Sequence, residues 1–293
     1  MKDDREYRSI SIDGLEIIGR GAHGIVYKID DETIVKVYRP DISLERICAE
    51  KERARKAFVL GVPTAISYDI VKVGSNYGTV YELLNAEPTE KFINKSIENR
   101  ERFVEMSVAL LKEIHAIEAD PSELADMKAD HLRWIENVSG IIGGDMAEQI
   151  KQIVLEVPDS RKLLHGDFHM KNIIICRGEP MLIDMDTLCL GDGLFDLATM
   201  CNSYWTFPHI DPQAVTQFLG ISVEDSEYIW KKSLKLYLND KNKDELEAVN
   251  ARCCILGLLR ILDYANRGGD NAHKDIMIEK GLEILHKQCQ KWY

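Results

Sequence analysis

The segment Leu163-Leu-His-Gly-Asp-Phe-His-Met-Lys-Asn-Ile-Ile-Ile175 spaces its polar residues as H-G-D-x-H-x-x-N. His165, Asp167, His169 and Asn172 lie there between two short apolar runs. Further along, Met181-Leu-Ile-Asp-Met-Asp186 reads as a buried strand ending in the carboxylates Asp184 and Asp186. An aspartate beside a substrate hydroxyl orients it and accepts its proton. An asparagine and a second aspartate are hard oxygen ligands of the kind Mg2+ takes together with phosphate oxygens. Phosphoryl transfer needs those parts and little else: positioned phosphates, Mg2+ and an aligned hydroxyl. A metal hydrolase built on His165, Asp167 and His169 is the competing chemistry. It lacks further His or Cys at ligand spacing and leaves the rest of the pattern unused. His165 suits a scaffold that holds the loop, and His169 suits either a scaffold or a phosphate contact.

A phosphate donor needs a cradle, and Ile18-Gly-Arg-Gly-Ala-His-Gly-Ile-Val-Tyr27 supplies G-x-G-x-x-G-x-V with Gly19, Gly21, Gly24 and Val26. Glycines let backbone N–H groups approach phosphate oxygens with no side chain in the way. The dinucleotide fingerprint has the same glycine spacing but requires a helix after the last glycine. Ile25-Val-Tyr-Lys-Ile29 is a strand pattern instead, so a hairpin folding over a nucleotide is the better reading, with an ordinary glycine turn as the bland one. Lys36, inside the apolar run Ile34-Val-Lys-Val-Tyr38, could reach inward to a phosphate if a carboxylate holds it. The next helix offers Glu45, Glu50 and Glu52. Glu50 is the first choice from its distance to the Gly61-Val-Pro63 stop, and Glu52 the second.

The elements that must position these groups change character along the chain. Leu15 to Arg20, Gly24 to Asp30 and Thr33 to Tyr38 read as strands, with Asp30-Asp31 suiting a tight hairpin. Residues 43–60 switch to helical spacing, and strands at Ala65 to Val73 and Tyr77 to Leu84 follow. Asn85-Ala-Glu-Pro88 reads as a linker. Helical periodicity dominates beyond it, at 96–118, 145–156, 223–238, 244–266 and 272–291, interrupted by short strands at Ile173 to Cys176 and Met181 to Ile183. The expected division is a β-rich nucleotide-binding lobe at 1–84 and a helical lobe at 85–293 carrying the catalytic loop and acceptor site.

Composition bounds the partners. The chain has 293 residues, 45% apolar and 29% charged, with 37 Lys plus Arg against 49 Asp plus Glu, a net charge of −12. That acidity argues against nucleic acid or an anionic membrane as a partner, because phosphate contacts need a basic face. It suits a cationic small molecule or a metal-chelated anion. No apolar run approaches the ~18 residues of a membrane span, and the charged opening MKDDREYR does not read as a secretory leader. The 7 cysteines contain no CxxC pair, which favours a reducing, cytoplasmic setting over a disulfide framework.

The run LLHGDFHMKNIIICRGEPMLIDMDTLCLGDGLFDLA, residues 163–198, resembles the signature of the aminoglycoside phosphotransferase and choline kinase-like superfamily. The order of elements from 15 to 85 agrees with it. The resemblance implies an α+β, bilobal protein-kinase-like fold: a small antiparallel β-sheet N-lobe with one helix and a larger, mainly helical C-lobe. It implies that Asp167 is the catalytic base, that Asn172 and Asp184 are Mg2+ ligands, and that Lys36 and its Glu partner meet the α/β-phosphates of ATP. Gly191-Asp192 and Asp196 match the family's GD-x-x-x-D element, which supports the catalytic loop and opens a helix. The backbone of Glu82-Leu83-Leu84 would meet adenine.

Three departures from related kinases stand out. The glycine loop resembles that of a protein kinase more than that of many small-molecule members. Met185-Asp186 replaces Phe-Gly after the metal-binding aspartate, and Asp186 either adds a carboxylate to the metal site or faces solvent. His169 stands where Ser/Thr protein kinases carry Lys, which favours a small-molecule acceptor. The resulting expectation is an ATP- and Mg2+-dependent phosphotransferase acting on a hydroxyl of an aminoglycoside-, choline- or sugar-like molecule. A protein Ser/Thr kinase and a non-catalytic pseudokinase are the alternatives. Acceptor recognition falls to the helical part, beyond residue 195 and around 127–137. There Trp134, Tyr204, Trp205, Asp263 and Asp270 could favour a cation through carboxylates or aromatic faces, with a core or surface place as the favoured reading of each.

Overall fold

The computed structural model describes residues 7–21, 23–239, 241–268 and 274–292, with the side chain at position 214 left aside. The strands in chain order are β1 (Ile17–Gly21), β2 (Gly24–Lys28), β3 (Thr33–Tyr38), β4 (Ser67–Val73), β5 (Asn76–Glu82), β6 (Ala86–Pro88), β7 (Leu163–Leu164), β8 (Ile173–Cys176), β9 (Glu179–Leu182) and β10 (Cys189–Leu190). Two compact units emerge, Met1–Glu87 with Ile174–Thr187, and Pro88–Ile173 with Leu188–Tyr293.

The first unit is built on an antiparallel sheet of order β1-β2-β3-β5-β4. Asp30 makes the β2–β3 turn as its type suggests, its Oδ1 accepting from the amides of Glu32 and Thr33 and from the Thr33 hydroxyl. Successive side chains of a strand point to opposite faces. Val35 and Val37 therefore join Val71, Val73 and Val80 in the core, while Lys36 between them is left on the other face. The helix α1 (Leu44–Val59) starts at Ser43, whose hydroxyl accepts from the Arg46 amide, and ends before Gly61 at φ +88°. Ile47, Glu50, Ala54 and Ala57 form its buried stripe, which carries one carboxylate.

The later segment Ile174–Thr187 groups with this unit because β9 is tied to its chain. Leu182 donates to the Pro63 carbonyl at 2.8 Å and bridges Thr64 in parallel. The segment expected to be a linker contains β6, which joins β8 and β9 in a three-stranded sheet. Its partner strand is far away in sequence, so local turn signals outweighed the pairing.

The second unit is helical: α2 (Thr89–Ile93), α3 (Ile97–Ile114), α4 (Met127–Ile142), α5 (Gly144–Leu155), α6 (Leu194–Cys201), α7 (Phe207–Ile210), α8 (Pro212–Phe218), α9 (Val223–Tyr237), α10 (Lys243–Asn266) and α11 (Lys274–Trp292). A turn of π-helix, Asn202–Thr206, continues α6. β7 and β10 pair antiparallel, Leu164 opposite Cys189, and bracket the polar loop. α4, which had no helical assignment from sequence, begins on an Asp126 side chain that accepts from the Lys128 amide. α10 is buried along most of its second half, from Cys253 to Ala265. Among the described residues no helix is long and apolar enough to cross a membrane.

Candidate active site

In the first unit the sheet register aligns three of the residues expected to meet a nucleotide. Gly19 lies opposite Val26 and Val26 opposite Lys36, so the three share a face across β1, β2 and β3. Gly24 is required by packing: a Cβ there would run into the Val37 carbonyl of the neighbouring strand. Gly21 is different, since a Cβ would meet nothing within 4 Å, which leaves its backbone open to approach.

Lys36 Nζ donates to Glu50 Oε1 at 2.8 Å and to Asp184 Oδ1 at 2.8 Å. Glu50 is 3% exposed, whereas Glu45 and Glu52 are exposed and Glu52 pairs with Arg55. Burial opposes the Lys36 ammonium, but Asp184 and Glu50 outweigh it and push its pKa above the ordinary lysine value. Asp184 adopts a left-handed conformation, φ +62°, which aspartate tolerates better than most residues and which turns the chain sharply after β9. In the 3-10 turn that follows, Met185 is buried and Asp186 is mostly covered, with Oδ2 3.7 Å from His23 Nε2. Asp186 thus does not project into solvent. His23, at the tip of the glycine hairpin, receives Arg46 Nη2 at 3.0 Å. Burial, Arg46 and Lys36 hold its pKa below the usual value, consistent with an accepting, neutral Nε2. Beyond this row, Glu82 closes β5 with its carboxylate accepting from the Ile66 amide, and Leu84 is half-buried past the strand end.

In the second unit the loop after β7 is held amide by amide. Asp196, fully buried on α6, accepts from His165 N at 2.9 Å, Gly166 N at 2.7 Å and His115 Nε2 at 3.0 Å. Further on, Phe168 N donates to Thr199 Oγ1 at 3.0 Å and Met170 N to Tyr204 Oη at 2.7 Å. Buried amides are costly when unpaired, so these side chains determine the loop's course. His165 Nδ1 accepts from the Asp167 amide and His169 Nδ1 from the Lys171 amide, so both rings brace the loop. Just before α6, Asp192 Oδ1 accepts from the Leu194 amide at 2.9 Å.

The braced loop presents Asp167. Its Oδ1 lies 3.0 Å from Arg260 Nη1 and its Oδ2 3.4 Å from His169 Nε2. Burial works against ionisation, but Arg260 and His169 outweigh it and hold the carboxyl well below the usual carboxylate range. Asn172 Nδ2 donates to the Asp167 carbonyl at 2.9 Å, leaving Oδ1 as the end of its amide with lone pairs to offer. The oxygen donors of Asn172 and Asp184 are of the kind that suits Mg2+. Among the described residues no group of three or more His, Cys, Asp or Glu gathers as a metal site, and the nitrogens of His165 and His169 that accept loop amides are not available to one.

The residues expected to recognise the acceptor separate. Tyr204 is buried with its hydroxyl on the Met170 amide. Asp263 is 1% exposed, taken up by Asn137 Nδ2 at 2.8 Å and by Arg267. Trp205 is half-buried and stacked on His209, and Trp134 packs on His131. Asp270 lies outside the described residues. Sequence reasoning missed Arg260, His115 and Thr199. Only Arg260 left a signal: it and Asp263 are the charges inside the apolar run Cys253 to Ala265.

The family model described as the phosphotransferase enzyme family matches residues 14–227. No curated protein sequence matches the chain. Among solved structures, the ADP-bound aminoglycoside phosphotransferase APH(2'')-Ib is 18% identical at TM-score 0.63, over 95% of this chain and 94% of its own. The amicoumacin kinase hAmiN, in complex with AMP-PNP, Ca2+ and Ami, is 16% identical at TM-score 0.60, over 96% and 90%. A choline/ethanolamine kinase family protein from Mesorhizobium loti is 13% identical at TM-score 0.60, over 95% and 92%. These likenesses show the fold, protein-kinase-like, with an antiparallel sheet region followed by a mostly helical remainder.

Proposed function

The chain belongs to the phosphotransferase enzyme family, and from that premise we propose that it moves the γ-phosphoryl group of ATP, with Mg2+, onto a hydroxyl of a small molecule. The observation that carries this reading is Lys36, with Nζ 2.8 Å from both Glu50 and Asp184. A lysine kept charged and oriented by two carboxylates is equipped to hold α/β-phosphate oxygens. The open backbone at Gly21 and the hairpin through Gly19 and Gly24 offer N–H groups to the same phosphates. The backbone of Glu82 and Leu84 takes adenine.

Asn172 and Asp184 would hold Mg2+, which when bound neutralises phosphate charge. Asp167 accepts the hydrogen bond of the acceptor hydroxyl and aligns it for in-line attack. As the new O–P bond forms and the bond from γ-phosphorus to the bridging oxygen breaks, ADP leaves and the hydroxyl proton passes to the Asp167 carboxylate. Because Arg260 and His169 stabilise its charged form, Asp167 acts mainly by orientation and takes the proton late.

The small-molecule class is supported by the relatives, whose names are those of aminoglycoside, amicoumacin and choline/ethanolamine kinases. Tyr204 and Asp263 are committed to their own partners, so no cationic character is assigned to the acceptor. The test is Mg·ATP consumption against aminoglycosides, choline, ethanolamine and simple sugars, with Asp167→Asn as control. Turnover with one class, reduced at least ~100-fold in the variant, is expected. Full turnover by Asp167→Asn would remove Asp167 from the role given to it.

A further inference from the structure

Gly166, immediately before Asp167, is held from both sides of its backbone. Its N–H donates to Asp196 Oδ1 at 2.7 Å, and its carbonyl accepts from Arg260 Nη1 at 2.6 Å. The same Arg260 nitrogen lies 3.0 Å from Asp167 Oδ1. Gly166 has φ +78°, a left-handed turn that favours glycine. One guanidinium therefore grips both the turn and the carboxylate that the turn presents.

Arg260 reaches this point because α10 lies unusually close to α6. Gly257, one helical turn earlier, has no room for a Cβ, which would run into Asn202 Oδ1 and the Ala198 carbonyl. Asn202 Nδ2 instead donates to the Gly257 carbonyl at 2.8 Å. A guanidinium within the apolar second half of α10 is costly unless its donors are satisfied. Among the described residues its partners, the Gly166 carbonyl and the Asp167 carboxylate, are both on the catalytic loop. Oδ2 of Asp167 carries only the longer contacts of His169 Nε2 and Asn172 Nδ2, both at 3.4 Å, against 3.0 Å from Arg260 to Oδ1.

We propose that Arg260 is the positioning residue of the phosphotransfer reaction: it occupies Asp167 Oδ1 and so assigns Oδ2 to the acceptor hydroxyl. A carboxylate free to rotate presents either oxygen, and in-line attack tolerates little misalignment. By fixing one oxygen and the preceding peptide together, Arg260 removes that freedom before substrate arrives. This rests on the phosphotransferase reading above.

The experiment uses the full chain and Mg·ATP, with water as the baseline acceptor and the most active compound of the panel as the second. Arg260→Ala is expected to lower kcat about 30-fold with the KM for ATP within twofold, and Arg260→Lys to recover part of that loss. Added guanidinium should restore activity to Arg260→Ala but not to Asp167→Asn. In an Asp167→Asn background, removal of Arg260 should change kcat by less than twofold. Amide exchange in nucleotide-free protein gives a readout apart from turnover: Gly166 and Asp167 should exchange faster in Arg260→Ala than in Arg260→Lys. Equal fold-losses in both backgrounds, with no rescue, would reduce Arg260 to a structural prop and overturn the proposal. Absence of any transfer by the wild-type chain would overturn the phosphotransferase reading and this one with it. If Arg260→Ala fails to fold, Arg260→Lys in the two backgrounds carries the same comparison.

Discussion

Lys36 and Asp184, 148 positions apart in the chain, are joined at 2.8 Å between Nζ and Oδ1. Glu50 holds the same ammonium from α1. The lysine is thus oriented within the first unit before any nucleotide is present, and its charge is protected by the carboxylates on either side.

Removal of one partner should separate orientation from charge. Glu50→Gln keeps a hydrogen-bond acceptor but removes a buried negative charge, so Lys36 should lean toward Asp184. Transfer is expected to fall about 10-fold, equivalent to about 1.4 kcal/mol. Lys36→Met should lower kcat/KM for ATP more than 100-fold, and it leaves Glu50 as a buried carboxylate without its cation. Steady-state kinetics with varied ATP, alongside circular dichroism to check folding, tests both.

Asp196 is a structural centre rather than a reacting group. Asp196→Ala strands the amides of His165 and Gly166 and the Nε2 of His115. A loss of about 3–5 kcal/mol in unfolding free energy is expected, the magnitude for breaking a buried polar network with a charged member. Urea denaturation measures it. A change under 1 kcal/mol would show that water replaces the carboxylate.

His131 gives a pH signature from a buried ring outside the catalytic loop. Its ring lies 4.5 Å from those of Trp134 and Phe195, and its Nδ1 donates to the Met127 carbonyl at 2.9 Å. Burial, with Arg260 adding to it, lowers its pKa from 6.5 to about 4. The unfolded chain therefore binds the proton more readily than the folded one between those values. This contribution to stability is fully present above pH 6.5 and is lost as pH falls toward 4, by roughly 3 kcal/mol in total. His131→Leu should flatten that part of the stability curve, read from urea midpoints between pH 4 and 7.

Gly257→Ala opposes helix propensity to packing. Alanine would favour α10 by about 1 kcal/mol in isolation. The added methyl group meets the Ala198 carbonyl and the Asn202 amide, and backbone of a neighbouring helix does not move aside cheaply. A net destabilisation of about 1–2 kcal/mol is expected in thermal or urea unfolding, with a matching loss of activity as α10 and Arg260 draw back. Stabilisation would mean that α10 has slack at this contact.

Much of the fold was legible because its signals are local. Alternation in β3 turns Lys36 away from Val35 and Val37, and the three-and-four spacing in α1 puts Glu50 on the buried stripe. α4 escaped notice because His131 stands within its buried stripe, and β6 because it ends in Pro88 and pairs far away. Tyr204 and Asp263, open in sequence to a pocket or a core reading, prove to be core residues. An aromatic or acidic side chain looks the same in sequence whether it faces a ligand or is already satisfied by its own protein.

Residue type and spacing alone determined the chemistry on offer: glycines before a strand, a lysine within one, and the Asp167, Asn172 and Asp184 oxygens in order. Those groups are close in sequence to the turns and strands that orient them, so short-range physics carries their pattern. Tertiary structure alone decided that Asp184 shares Lys36 with Glu50, and that Arg260 takes Oδ1 of Asp167. Those choices depend on how closely α10 packs on α6 and where β9 returns to its sheet. Close packing over such separations is a property of the assembled core, and no local run of residues encodes it.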